Sequence, residues 1–294
     1  MRGFVYLLYV KALWDMLAEA LLREKKIFTA VQKYSNTTNL CLEDSLLIFL
    51  FIMKNKIIAF VFYILNTIKK RGIKFIFIYF KEAILFDIIN GTNTHFRVKK
   101  NEGIGVAQNV YNDGILYVAS FTSVIVKTIS ISQKILGNLF YDSQFIDLGC
   151  GKGKTLLVYY KYYKNIITYP ATGIEYDNIL CRIAQKNIVK MDYSKEKIAV
   201  YCDSAINFEK YCKSEYYIVY LYNPFIGDTL LSVLSKLNKY PHLLIYVDPV
   251  EINILKNYNY YIHSRYKGVY NADTWVVAIS EKLQNIIKFK NTSI

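Results

Sequence analysis

Three glycines at alternate positions in Asp147-Leu148-Gly149-Cys150-Gly151-Lys152-Gly153 constrain this chain more than any other feature. The run follows the apolar Phe145-Ile146 and precedes a helical pattern over Lys154–Tyr163. Strand, tight turn and helix in that order make the opening unit of an open α/β sheet. Without Cβ atoms the turn can take unusual φ/ψ values and let a ligand lie against its backbone. The spacing G-x-G-x-G departs from the G-x-G-x-x-G of nicotinamide-binding turns, which seat a pyrophosphate on the helix N-terminus. Asp147 at the strand end suits a ligand that carries an ammonium group instead.

The texture downstream extends this unit. Apolar runs predict strands at Ala171–Glu175, Ile198–Cys202, Tyr217–Tyr222 and Leu243–Val247, with a helix over Ile179–Val189. Tyr260–Arg265 and Thr274–Ile279 flank a turn at Gly268 and read as an antiparallel hairpin closing the sheet. The expectation is a doubly wound, Rossmann-like sheet of seven strands over residues 101–294. A basic, apolar, helical region over residues 1–100 precedes it.

Acidic residues sit at successive strand ends. Glu175 follows Gly153 by 22 residues, where a carboxylate can accept two ribose hydroxyls, and Tyr176 lies beside it. Asp203, followed by Ser204, ends the third strand, where it could accept the hydrogens of an adenine amino group. Each has an alternative use as a helix N-cap. The next strand runs into Tyr222-Asn223-Pro224-Phe225. The Asn223 carbonyl can accept a hydrogen from an amine and turn its lone pair outward, Pro224 fixes the backbone, and Phe225 can wall an acceptor. The alternative is a plain turn with an exposed aromatic. Tyr111 reads equally as a wall of the site or as a core tyrosine.

Over residues 86–280 these motifs resemble a family of bacterial class I, seven-strand S-adenosylmethionine-dependent methyltransferases. That family's pattern reads here as Phe86-Asp87, Gly91-Thr92-Asn93-Thr94, Asp147–Gly153, Gly173-Ile174-Glu175, Tyr222–Phe225 and Tyr246-Val247-Asp248-Pro249. Asn93 stands where the family more often has Asp. The resemblance implies S-adenosyl-L-methionine as cofactor, held by Asp147, Gly149, Cys150, Gly151, Gly153, Glu175, Tyr176, Asp203, Ser204 and Asn223. It implies an acceptor site at Asn223, Pro224 and Phe225. The chain is more distantly similar to non-SET histone-lysine methyltransferases, whose corresponding strand end also presents Asn, and this points to a protein lysine. Adenine and glutamine N-methyltransferases carry [ND]-P-P-[YF] there, so nucleic acid and small molecules stay open as acceptors, and a non-catalytic membrane-surface protein with a vestigial cofactor fold is the alternative of another class.

Composition excludes other chemistry. The histidines (His95, His242, His263) lie far apart and no G-x-S-x-G elbow occurs, which leaves triad hydrolysis without support. Five cysteines without a CxxC pair argue against a disulfide framework or a metal site and suit a reducing, cytoplasmic setting.

The net charge of +14 is concentrated in residues 1–100, which carry 16 Lys/Arg against 7 Asp/Glu. Such an excess can favour nucleic acid or anionic lipid, or can be a solvated surface. Residues 1–33 have loose helical spacing without a secretory cleavage site, and 34–45 are a polar break. The apolar runs 46–53 and 57–65 are split by Lys54 and Lys56, which disfavours a membrane span. With Lys69, Lys70, Arg71 and Lys74, residues 46–80 offer a peripheral membrane contact or pack on the catalytic domain. Met53 is an alternative start. Tyrosines interleaved with lysine or asparagine (Tyr159–Tyr163, Tyr258–Tyr261) could stack bases, but 28 tyrosines make compositional bias the simpler account.

Overall fold

A computed structural model of the chain describes residues 66–95, 108–193 and 196–292. The features expected at 1–33, 34–45 and 46–65, the alternative start at Met53 and the boundary at residue 100 lie outside the described residues. The chain divides into two compact units, Met1–Ile88 and Ile89–Ile294.

In the first unit residues 66–71 are helical, α1 is Ile73–Tyr79, and a π-helical turn at Phe80–Ile84 leads into α2, Leu85–Asn90. Ile73 and Phe77, four residues apart and so on one face of α1, are more than half exposed. Among the described residues no helix is long and apolar enough to cross a membrane.

The second unit carries the expected sheet. Its strands are β1 Ser143–Leu148, β2 Ala171–Ile174, β3 Ile198–Tyr201, β4 Tyr216–Tyr222, β5 His242–Val247, β6 Tyr261–Tyr266 and β7 Trp275–Ile279. They lie in the order β3-β2-β1-β4-β5-β7-β6. The first five are parallel, and β7 runs antiparallel between β5 and β6. Helices α3 Gln108–Asp113, α4 Thr122–Leu136, α5 Lys154–Tyr163, α6 Asn178–Lys190, α7 Gly227–Leu237 and α8 Glu281–Thr292 complete the unit. Of these, α5 has the bounds its sequence predicts, and the strand ends differ from expectation by one or two residues.

β1 and β5 are buried along their whole length, and β5 reads as a nearly unbroken apolar run, whereas the edge strand β6 is largely exposed. Side chains alternate across the sheet. Ile146 and Leu148 face a core with Val219, Leu221, Leu244 and the apolar stripe of α7. Phe145 points the other way and stacks on Tyr159 of α5, ring centroids 4.2 Å apart.

One expectation fails here. Cys181 of α6 and Cys202, just past β3, form a disulfide with Cα atoms 5.8 Å apart. Cys150 and Cys212 are free. Cysteine count and spacing argued against a disulfide framework, but α6 lies back against β3, and that crossover brings together two residues 21 apart in sequence. Closing such a loop restricts the unfolded chain. Reduction, or Cys202→Ser, is expected to lower stability by about 2–4 kcal/mol, read as a drop in melting temperature with dithiothreitol that the variant no longer shows.

Candidate functional site

The strand order reverses direction between β1 and β4, and a crevice opens outside the carboxyl ends of strands at such a switch point. Asp147, the second-last residue of β1, and Asn223, just past β4, flank that crevice, and both line a cleft there. Gly149, Cys150, Glu175, Tyr176, Pro224 and Phe225 line the same cleft.

Two carboxyls are buried in it. Asp147 is 2% exposed, and burial pushes its pKa up to about 8; a hydrogen bond with Thr155 opposes the shift and the nearby Glu175 adds to it. Glu175 is raised to about 7, again mainly by burial. Its Oε2 accepts from the Gly151 amide at 2.8 Å and its Oε1 from the Asp177 amide at 2.9 Å. A carboxylate offers roughly four acceptor positions, so about two stay open to ligand donors. These groups are costly to ionise alone, and a cationic or donor-rich ligand offsets that cost. Cys150 is also buried, which holds its thiol protonated and makes it an apolar wall.

Close packing explains the glycines. Gly149 has φ +80, and a Cβ there would run into the Pro224 ring, so the glycine turn and the Asn223-Pro224-Phe225 turn touch. Gly151 has φ +54, and its missing Cβ leaves room for the Tyr117 ring. Gly151 and Gly153 thus shape the loop without lining the cleft.

Asn223 is strained and incompletely bonded. Its φ is +36, it is 7% exposed, and its Oδ1 is buried without a hydrogen-bond partner. A buried acceptor left unpaired costs about 1–3 kcal/mol. Phe225 is buried, not an exposed turn aromatic, and pairs with Gly114 in an antiparallel bridge.

The third strand end behaves differently. The Asp203 carboxylate accepts from the Ser204 amide, Asn207, Lys210 and Tyr211. Burial raises its pKa, but these donors outweigh burial and hold it below the ordinary value. Ser204 caps the following 3-10 helix through the Ile206 amide. Neither residue lines the cleft, and Ala205 does. The helix N-cap is Ser204 and not Asp203, whose carboxylate is instead engaged by side chains of the short helix at Ala205–Tyr211 and the amide beside it. Tyr111 does not line the cleft either.

Sequence reasoning missed the wall facing the sheet. Gly114–Val118 and Ser120 line the cleft in an extended segment, anchored where the Ile115 amide donates to Pro224 O at 2.9 Å and the Ile226 amide to Asp113 O at 3.1 Å. Asp113 Oδ2 also accepts from the Thr229 amide and hydroxyl, capping α7. The Tyr117 hydroxyl donates to Thr94 O at 2.5 Å. Asn93 ties this region to the glycine loop: its Oδ1 accepts from Lys152 Nζ at 3.2 Å, and Asn187 bonds both its amide and its carbonyl. The apolar Ile115–Val118 carries no periodic signal distinguishing wall from strand.

No protein-family model matches the chain, and no curated protein matches it. Among solved structures it is similar to an rRNA methylase from Streptococcus thermophilus, with 12% identity, 52% of this chain and 96% of the other covered, and a TM-score of 0.37. It is similar to TrmK of M. capricolum in complex with S-adenosyl-homocysteine, at 16% identity, covering 47% and 62%, with a TM-score of 0.33. A mutant of MtNAS in complex with S-adenosylmethionine shares 9% identity over 54% and 62%, with a TM-score of 0.40. The chain spans less than two thirds of the length of these last two. The likenesses are distant, and the functional reading rests on the chain's own residues.

Proposed function

We propose that the chain is an S-adenosylmethionine-dependent methyltransferase acting on a nitrogen, with a protein lysine amine as the finer expectation. The observation that carries this is one cleft at the switch point holding two buried carboxyls, a close-packed glycine turn and the unpartnered Asn223 Oδ1. Bound there, S-adenosylmethionine supplies an electrophilic sulfonium methyl group. Asp147 would hold its ammonium, Glu175 its ribose, and Gly149 gives backbone close approach. Asn223 Oδ1 would accept an N–H of the acceptor and turn the nitrogen lone pair toward the cofactor side of the cleft. The chain's contribution is alignment, which can supply about 7–11 kcal/mol through proximity and orientation.

Titration calorimetry with S-adenosylmethionine is the direct test. Asp147 and Glu175 take up protons as pH falls through about 8 and 7. A cationic ligand favours their ionised forms, so binding should release protons near neutral pH and tighten about tenfold between pH 6 and 8. Two buffers of different ionisation enthalpy read the release. No binding at millimolar ligand, or net proton uptake, would sink the assignment.

A further inference from the structure

The two sulfurs of the Cys181–Cys202 bridge stand in different surroundings. Cys181, in the first turn of α6, is fully buried, whereas Cys202, just past β3, is exposed. The strand that the bridge secures is thinly held. β3 is the outer strand of the sheet, four residues long, paired along one side with β2 and only half-buried beyond Ile198. At its end the Glu175 amide donates to Tyr201 O at 3.0 Å, and Gln185 of α6 donates from Nε2 to Val200 O at 3.4 Å.

Both ends of the bridge adjoin the cleft. Leu180 precedes Cys181, and Ala205 follows Cys202 by three residues; both line the cleft together with Glu175. Covalent closure therefore fixes the start of α6 against the segment after β3, and each contributes a wall of the cleft.

We infer that Cys181–Cys202 is a thiol–disulfide exchange site that gates the cleft. Closed, the bridge holds the Leu180 and Ala205 walls together; open, it frees the segment after β3. The exchange rests on the placement of the bridge, and its consequence for the cofactor rests on the methyltransferase reading. The reductant is a dithiol. Its thiolate attacks the exposed Cys202 sulfur and forms a mixed disulfide, and the electron pair of the broken bond leaves on Cys181 Sγ. Gln185 Nε2, 3.8 Å from that sulfur, is placed to donate to the departing thiolate, which then takes a proton from water. The second thiol of the reductant displaces Cys202 and closes the reductant's own disulfide. Two electrons thus pass to the bridge, and each cysteine ends as a thiol. Hydrogen peroxide reverses the change by accepting two electrons and two protons and leaving as two waters.

The test uses the full wild-type chain, folded and well below its melting temperature, before and after dithiothreitol and again after peroxide. Thiols are trapped with acid and labelled in denaturant, so that buried ones are counted by mass. Two further labels, on Cys181 and Cys202, should appear after dithiothreitol and disappear after peroxide. Affinity for S-adenosylmethionine, read by titration calorimetry, should weaken about tenfold on reduction if about a tenth of the molecules keep both walls in place. Cys202→Ser should match the reduced chain and ignore dithiothreitol. Hydrogen exchange should quicken at the amides of residues 198–205 in the reduced form, a readout that needs no cofactor. A bridge that opens only in urea, equal affinity in both states, or unchanged exchange at these amides overturns the inference. Absence of S-adenosylmethionine binding in either state would instead remove the methyltransferase reading, with thiol counts and hydrogen exchange still deciding the gate.

Discussion

Asp147→Asn is expected to make the ligand-free protein more stable while removing most of its affinity for S-adenosylmethionine. The Asp147 pKa is raised by burial from 3.8 to about 8. A carboxyl whose folded pKa lies above its unfolded value contributes stability that is fully present below 3.8 and is lost as pH rises through about 8. At 1.36 kcal/mol per pH unit the ceiling on that loss is ~6 kcal/mol, and relaxation and the Thr155 hydrogen bond reduce the expected gain to about 2–3 kcal/mol. The asparagine removes the titration, so the gain should be present at pH 8 and vanish at pH 4. Cofactor affinity should fall at least a hundredfold, since breaking a buried charge pair costs about 3–5 kcal/mol. Differential scanning calorimetry at both pH values and titration of the cofactor read the two effects. A variant that is destabilised at pH 8, or that binds normally, contradicts the role given to Asp147.

Asn223→Ala should separate catalysis from stability in a second way. Loss of the unpartnered Oδ1 relieves about 1–3 kcal/mol, and alanine at φ +36 gives back about 1–2 kcal/mol. The fold should therefore stay near wild-type stability. Methyl transfer under saturating cofactor should drop about a hundredfold, because the acceptor is no longer held in line. Cofactor affinity should change little. Incorporation of tritium from labelled S-adenosylmethionine into lysate fractions gives the turnover, and unchanged turnover in Asn223→Ala would dismiss the acceptor role.

The sheet was legible because central strands such as β4 and β5 are buried on both faces and therefore nearly all apolar, while α5 and α6 alternate with the strands at helical period. The glycine spacing was legible for a related reason: Gly149 and Gly151 leave no room for a side chain, and a steric need of that kind is written directly in residue type. Strand-end position alone gave a weaker signal. It placed Asp147 and Glu175 in the cleft, yet Asp203, equally well placed in sequence, is engaged by the Ser204 amide and the side chains of Asn207, Lys210 and Tyr211.

By itself, then, the sequence determined the succession of strands, the helices behind the first two of them and the glycine turn, because each depends on local periodicity or on a missing Cβ. Only the tertiary structure decided what lies opposite them. The Gly114–Val118 wall, the Asn93–Lys152–Asn187 link and the Cys181–Cys202 bridge all join residues distant in sequence. Such contacts are set by how helices and loops pack back on the sheet, and that packing has no period along the chain.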